Sequence, residues 1–354
     1  MEHKFDYRWN LSEANFTKDK GKVFSCFACG GGSTMGYKLA GYDVIGCNEI
    51  DPRINKCYVT NHHPKYNFLC DIRELGKEKP LPKELYELDV LDGSPPCSSF
   101  SISGNREKDW GKVRKFKEGQ KEQVLDTLFF DFIALAKELQ PKVVVAENVR
   151  GLLMGSAKDY VRKIYHDFDD AGYICQHYLL QSAEMGVPQK RQRVFFVCIR
   201  KDLANLFMKQ IDLFEQRPVL EMDFNEPPVL FGEIKDEEGQ TINKAALETW
   251  KFRKYGDKKL EQCSKRGQNV RKFFNYYFLY DEKVAPPLAA HKECLVHFDV
   301  PKFTSTAEVN KISTFPLDYD YCGMSPHYIC GMSVPPVMMA QIASQIWEQW
   351  LPKI

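Results

Sequence analysis

The first two hundred residues alternate between stretches that read as buried strands and stretches that read as amphipathic helices. No other feature limits the possible folds as tightly. "KVFSCFA" (22–28) reads as a strand, followed by a glycine turn and a helix, "MGYKLAG". "YDVIGCNE" (42–49), "YELDVLDGS" (86–94) and "PKVVVAEN" (141–148) are further apolar or β-branched strands. "VLDTLFFDFIALAKELQ" (124–140) and "AKDYVRKIYHDFDDAG" carry helical periodicity, and "RVFFVCIR" returns to strand. Such alternation predicts an α/β fold with a doubly wound, mostly parallel sheet. From about residue 203 to 315 the pattern breaks into charged, Pro-bearing sequence, and "PPVMMAQIASQIWEQWL" closes the chain as a helix. There are no internal repeats.

At 354 residues the chain exceeds one small core and predicts a large domain with a smaller one. No apolar run approaches the roughly 18 residues of a membrane span, and "MEHKFDYRWN" has no signal-peptide core. The twelve cysteines are scattered without the spacing of a disulfide scaffold, so a reduced, cytoplasmic setting is expected. Net charge is +1, which by itself predicts no polyanion partner. Charge is distributed unevenly, however. The segment 250–278 carries nine Lys/Arg against two acids, with aromatics interleaved, and a second cationic tract lies at 105–121. Either is a solvated face or a phosphate-contacting surface.

In a doubly wound sheet, ligands collect at the carboxyl ends of the strands. The first strand runs into Gly30, Gly31 and Gly32, a turn through which backbone approaches a nucleoside closely. It is not the dinucleotide fingerprint, because the next glycine, Gly36, comes one residue late. Glu49 ends the second strand, seventeen residues after Gly32, and is placed to accept from ribose hydroxyls. Asp71, in "LCDIRE", is placed at a third strand end to accept from an adenine amine. The three features together point to an adenosine cofactor; the alternative is an ordinary turn with surface acids.

The next two strands end in "DGSPPCSSFS" (92–101) and "AENVRG". Pro95 and Pro96 fix φ and lack N–H donors, so Cys97 sits on a stiff turn, either as a structural thiol or as a held nucleophile. Glu147 follows an apolar run and is expected to be half-buried. A nucleophilic Cys beside a protonatable Glu suits attack on an electron-poor ring. In "GVPQKRQRVFF", Arg191 and Arg193 are expected on one face of a strand by period two.

Taken together, these motifs resemble the DNA (cytosine-5) methyltransferases, which use S-adenosylmethionine. "FACGGGSTMG", "NEID", "CDI", "GSPPCSSFSISG", "TLFFDF", "VVVAENV", "GVPQKRQR" and "CGMSVPP" occur in family order over nearly the whole chain. The resemblance implies Cys97 as the nucleophile at cytosine C6 and Glu147 on N3 and the exocyclic amine, with Arg191 and Arg193 supporting base and loop. It implies cofactor contacts at Phe27, Gly30, Gly31, Gly32, Glu49, Ile50, Asp71, Ile72, Pro96, Leu128 and Ser333, with S-adenosylhomocysteine as product and no metal. The implied architecture is a Rossmann-like methyltransferase sheet (1–202), a target-recognition domain (203–315) and a returning segment (316–354). The implied partner is duplex DNA, with a cognate restriction endonuclease as a functional partner, in a bacterial or phage-infected cell; the chain is expected to act as a monomer.

The sequence also departs from the family pattern. Ser25 replaces an Asp and Cys29 a Gly in the first motif, Ser98 follows the nucleophile in place of Gln, Ala307 precedes Glu308 in place of Arg, and Met332 stands for Asn. None removes a reacting group. An RNA (tRNA) cytosine-5 methyltransferase of the same fold would keep the same catalytic motifs and is the alternative. "CFAC" (26–29) lacks the second pair that a zinc site needs.

Overall fold

The computed structural model describes residues 3–77, 80–96, 127–154, 157–212, 216–267, 273, 276–290 and 295–354. Chain contacts divide it into two compact units, one of residues 15–181, 192–223 and 339–354, the other of 1–14, 182–191 and 224–338. The expected recognition interval, 203–315, thus contributes 203–223 to the first unit and the remainder to the second.

The first unit is built on a seven-stranded sheet. Its strands are β1 (Lys22–Cys26), β2 (Asp43–Glu49), β3 (Tyr66–Leu69), β4 (Val90–Gly93), β5 (Val143–Val149), β6 (Tyr173–Gln181) and β7 (Gln192–Arg200). The order is β3-β2-β1-β4-β5-β7-β6. The first five pair in parallel, and β7 runs antiparallel to both β5 and β6. Chain order reverses between β1 and β4, which opens a crevice at the carboxyl ends of these strands.

The helices packed in this unit include α1 (Gly32–Leu39), α2 (Pro52–His62), α3 (Leu128–Leu139) and α4 (Lys158–Asp170). Helix α2 starts where it does because the Asp51 carboxylate accepts from the Arg53 and Ile54 amides and Pro52 takes the first helical position. It ends at His63, whose φ of 46° cannot continue a right-handed helix. On α3 the apolar stripe Leu128, Phe129, Phe132, Ile133, Ala136 and Leu139 is buried. Phe132 lies so close to the end of β4 that a Cβ on Gly93 would come within 2.5 Å of its ring. Glycine is therefore required there, just before the Pro95–Pro96 turn. Truncating Phe132, which is fully buried, would cost about 3–5 kcal/mol.

The second unit has its own core, including Ala246, Trp250, Leu260, Phe278, Tyr280, Val296 and Phe303, with a short parallel pair, Tyr277–Leu279 and Leu295–His297. Its helix Thr306–Ser313 opens with a reciprocal cap, Ser305 to the Glu308 amide and Glu308 to the Ser305 amide. Glu308 is buried and also lies 3.0 Å from His297 Nε2. Among the described residues no helix is long and apolar enough to cross a membrane.

Candidate active site

The end of β1 passes directly into the glycine turn. Phe27 and Cys29 both hold left-handed backbone, φ 52° and 48°, and Gly31 follows at φ 76°. At Cys29 this conformation costs roughly 1 kcal/mol that glycine would not incur, so the departure from the family residue falls on a strained position. Gly31 is packed against α2: a Cβ there would come 2.1 Å from His62 Nε2. The same nitrogen donates to the Gly30 carbonyl at 3.3 Å. Burial pushes the His62 imidazole down to about 3, so it stays neutral while it supports the turn. His62 was not singled out from the sequence; its only signal is its place in the last turn of the helix after β2.

Glu49, at the end of β2, is buried and accepts three backbone N–H groups: Cys29 at 2.9 Å, Ile50 at 2.8 Å and Asp51 at 3.0 Å. Burial pushes its carboxyl up, and the three donors oppose that. With two oxygens and about four lone-pair sites, it keeps acceptor capacity for a hydroxyl. Asp71 follows β3 and is gripped by Arg73, which donates Nε to Oδ1 at 2.9 Å and Nη2 to Oδ2 at 2.5 Å. This pairing holds the Asp71 carboxyl below its usual range. Ile72 and Leu128 are buried, and Ile50 and Pro96 are partly open. This set of glycine backbone, acids and apolar side chains fits an adenosine-bearing group. In the other unit, the Ser333 hydroxyl is buried without a hydrogen-bond partner among the described residues.

The ends of β4 and β5 are tied together. Asn148 Nδ2 donates to the Pro95 carbonyl at 3.2 Å, fixing the turn that leads into position 97. Cys97 and the tract 102–123 lie outside the described residues. Beside Asn148, Glu147 is 9% exposed and forms a 2.8 Å ion pair with Arg193 Nε. Burial pushes the Arg193 guanidinium down, and the Glu147 charge opposes this.

Arg191 does not share that role on a common strand face. Strand β7 begins only at Gln192, and Arg191 lies in the other unit, where it donates Nη1 to the Leu288 carbonyl at 3.3 Å and Nη2 to that of Gly331 at 2.9 Å. Period two failed because the strand starts one residue too late. The basic-aromatic segment is likewise partly structural. Arg253 stacks on Trp250 with Cζ 3.1 Å from the ring centroid, and Arg266 pairs with Asp257 and donates to the Phe252 carbonyl at 3.0 Å. Lys251, Lys254 and Lys258 are exposed, whereas Asn269 and Arg271 lie outside the described residues. Burial pushes the Cys26 thiol well up, making it a core group. Among the described residues no cluster of His, Cys, Asp or Glu could hold a metal ion.

A family model described as C-5 cytosine-specific DNA methylase matches residues 21–348. The Type II methyltransferase M.FnuDI of Fusobacterium nucleatum is 36% identical over 182 residues, 51% of this chain and 48% of that protein. The chain thus spans about half the length of that relative. The Type II methyltransferase M1.HphI of Haemophilus parahaemolyticus is 26% identical over 330 residues, covering 90% of this chain and 85% of its own. Among solved structures, DNMT2 of Spodoptera frugiperda superposes with a TM-score of 0.62 at 17% identity, over 92% of this chain and 99% of that one.

Proposed function

The chain belongs to the C-5 cytosine-specific DNA methylase family, and from that premise we propose that it methylates C5 of cytosine within a specific duplex DNA sequence. The observation that carries this reading is the joined end of β4 and β5. The Pro95–Pro96 turn is clamped by Asn148, and the preceding residue, Glu147, is oriented by Arg193. A nucleophile leaving such a turn and an acid on the neighbouring strand are the two groups that addition across a cytosine ring needs.

The target cytosine leaves its stack, and Cys97 adds to C6. Glu147 contacts N3 and the exocyclic amine; its carboxyl in the protonated form gives a proton to N3, so the negative charge brought into the ring by the thiolate ends on the Glu147 carboxylate beside Arg193. Arg193 keeps that carboxyl aimed. After transfer, loss of the C5 proton and elimination free Cys97. When bound, S-adenosylmethionine supplies the methyl group as an electrophile on sulfur. Phe27, the Gly30–Gly32 turn, Glu49, Ile50, Asp71, Ile72, Pro96 and Leu128 would hold it, and Ser333 is a further proposed contact. Arg191, through its bonds to the Leu288 and Gly331 carbonyls, acts from a distance by bracing the second unit.

The 203–315 interval is assigned to target recognition, 1–202 to catalysis and 316–354 to the return of the chain. A cognate restriction endonuclease is the proposed functional partner, a reading supported by relatives named Type II methyltransferases. The chain is assigned to the cytoplasm and to action as a monomer. Incubation with a duplex containing 5-fluorocytosine tests the chemistry, because fluorine at C5 blocks the final elimination. Peptide mapping should find the adduct on Cys97; an adduct on another cysteine would refute the assignment.

A further inference from the structure

Asp92 is a carboxyl in an apolar interior, 1% exposed on β4 and three residues ahead of Pro95. Its partner in strand register is Ser25 on β1. Ser25 Oγ donates to Asp92 Oδ2 at 2.8 Å, and Tyr37 OH, from α1, reaches Oδ1 at 3.5 Å. The Ser33 hydroxyl also bonds to it. One carboxyl thus gathers the last residues of β1, the first turns of α1 and the end of β4. The other titratable groups facing it are Glu147 from β5, Cys26 from β1 and Tyr58 from α2.

We propose that Asp92 is a positioning residue of the methyl-transfer site, a buried acid that fixes the end of β4 before the Pro95–Pro96 turn and faces Glu147 across one strand spacing. This rests on the methyl-transfer reading above. Hydrogen bonding alone does not account for a carboxyl here, since an amide or hydroxyl would bridge the same strands without the cost of burying a charge. What the acid adds is a charge that can be switched. Burial, and next to it the Glu147 charge, push Asp92 up to about 7, against the pull of its hydroxyl donors. Below that pH Asp92 is neutral; above it, a negative charge on Asp92 stands beside the Glu147–Arg193 pair.

The test uses the full chain and single-turnover methyl transfer to duplex DNA as a function of pH, with infrared difference spectra of wild type against Asp92→Asn. Wild type should show a bend in log rate near pH 7, and a neutral-carboxyl band that vanishes through the same pH. Asp92→Asn, whose oxygen accepts from one hydroxyl while its NH2 donates to the other, should fold normally, bind S-adenosylmethionine within about twofold of wild type, and lose both the bend and the band. Asp92→Ala should lower the rate about tenfold or more, and the exchange Ser25→Asp/Asp92→Ser should recover part of it. A bend that persists in Asp92→Asn, or a wild type with no neutral-carboxyl band, would overturn the proposal. A wild type with the band but no methyl transfer to DNA would instead overturn the methyl-transfer reading.

Discussion

Glu49 and Glu147 are both buried acids at strand ends, yet their surroundings assign them different work. Glu49 is saturated on one side by three backbone amides and faces the glycine turn, so it is a fixed acceptor. Glu147 has one guanidinium partner and stands beside the turn that leads to position 97. Glu49→Ala should therefore raise KM for S-adenosylmethionine with kcat little changed, because it removes binding shared by ground and transition states. Glu147→Gln should lower kcat by about 10²-fold or more with KM nearly unchanged. Steady-state kinetics on both variants check this, and identical signatures would remove the distinction. Arg266, in the basic-aromatic segment, grips Asp257 with both guanidinium arms, which points to a structural role. Arg266→Ala should lower stability by up to about 1 kcal/mol and leave the methylated motif intact, as thermal unfolding and mapping of methylated sites would show.

At the scale of elements, α2 supports the glycine turn through His62, and this makes the turn sensitive to acid. The His62 pKa is depressed from 6.5 in the unfolded chain to about 3 in the folded one. Between these values the unfolded chain binds a proton that the folded chain refuses, so stability falls as pH drops below about 6.5. The expected slope from this group is about 1.4 kcal/mol per pH unit. In urea melts between about pH 6.5 and 5, His62→Gln should show a slope smaller by that amount; an unchanged slope would mean that His62 is protonated in the fold. Elements buried on both faces, such as Val143–Val149, were legible because their apolar runs are continuous. Strand β6 was not, because its burial is broken at the sheet edge, where His177 is exposed. Nor was the antiparallel course of β7, since direction leaves no periodic trace. At the site, Glu49, Glu147 and the proline turn could be found as chemistry at strand ends. The pairing of Asp92 with Ser25 depends on register between strands about 67 residues apart, which no local pattern encodes.

For the molecule as a whole, a net charge of +1 gives no general attraction to DNA, so contact must come from local clusters. Lys258 is exposed and Lys259 lies over the Tyr277 ring at 4.4 Å. The double change Lys258→Ala/Lys259→Ala should weaken binding to all duplexes evenly and reduce the slope of log affinity against log salt by about 2. A loss confined to one sequence would instead mark these lysines as base readers. The central claim is methyl transfer to C5 of cytosine in duplex DNA, and bisulfite sequencing of DNA from cells expressing the protein tests it most directly. The account predicts cytosines protected at one fixed position of a recurring sequence, with protection lost in Cys97→Ser. Uniform conversion of every cytosine in cells that hold folded, cofactor-binding protein would contradict it.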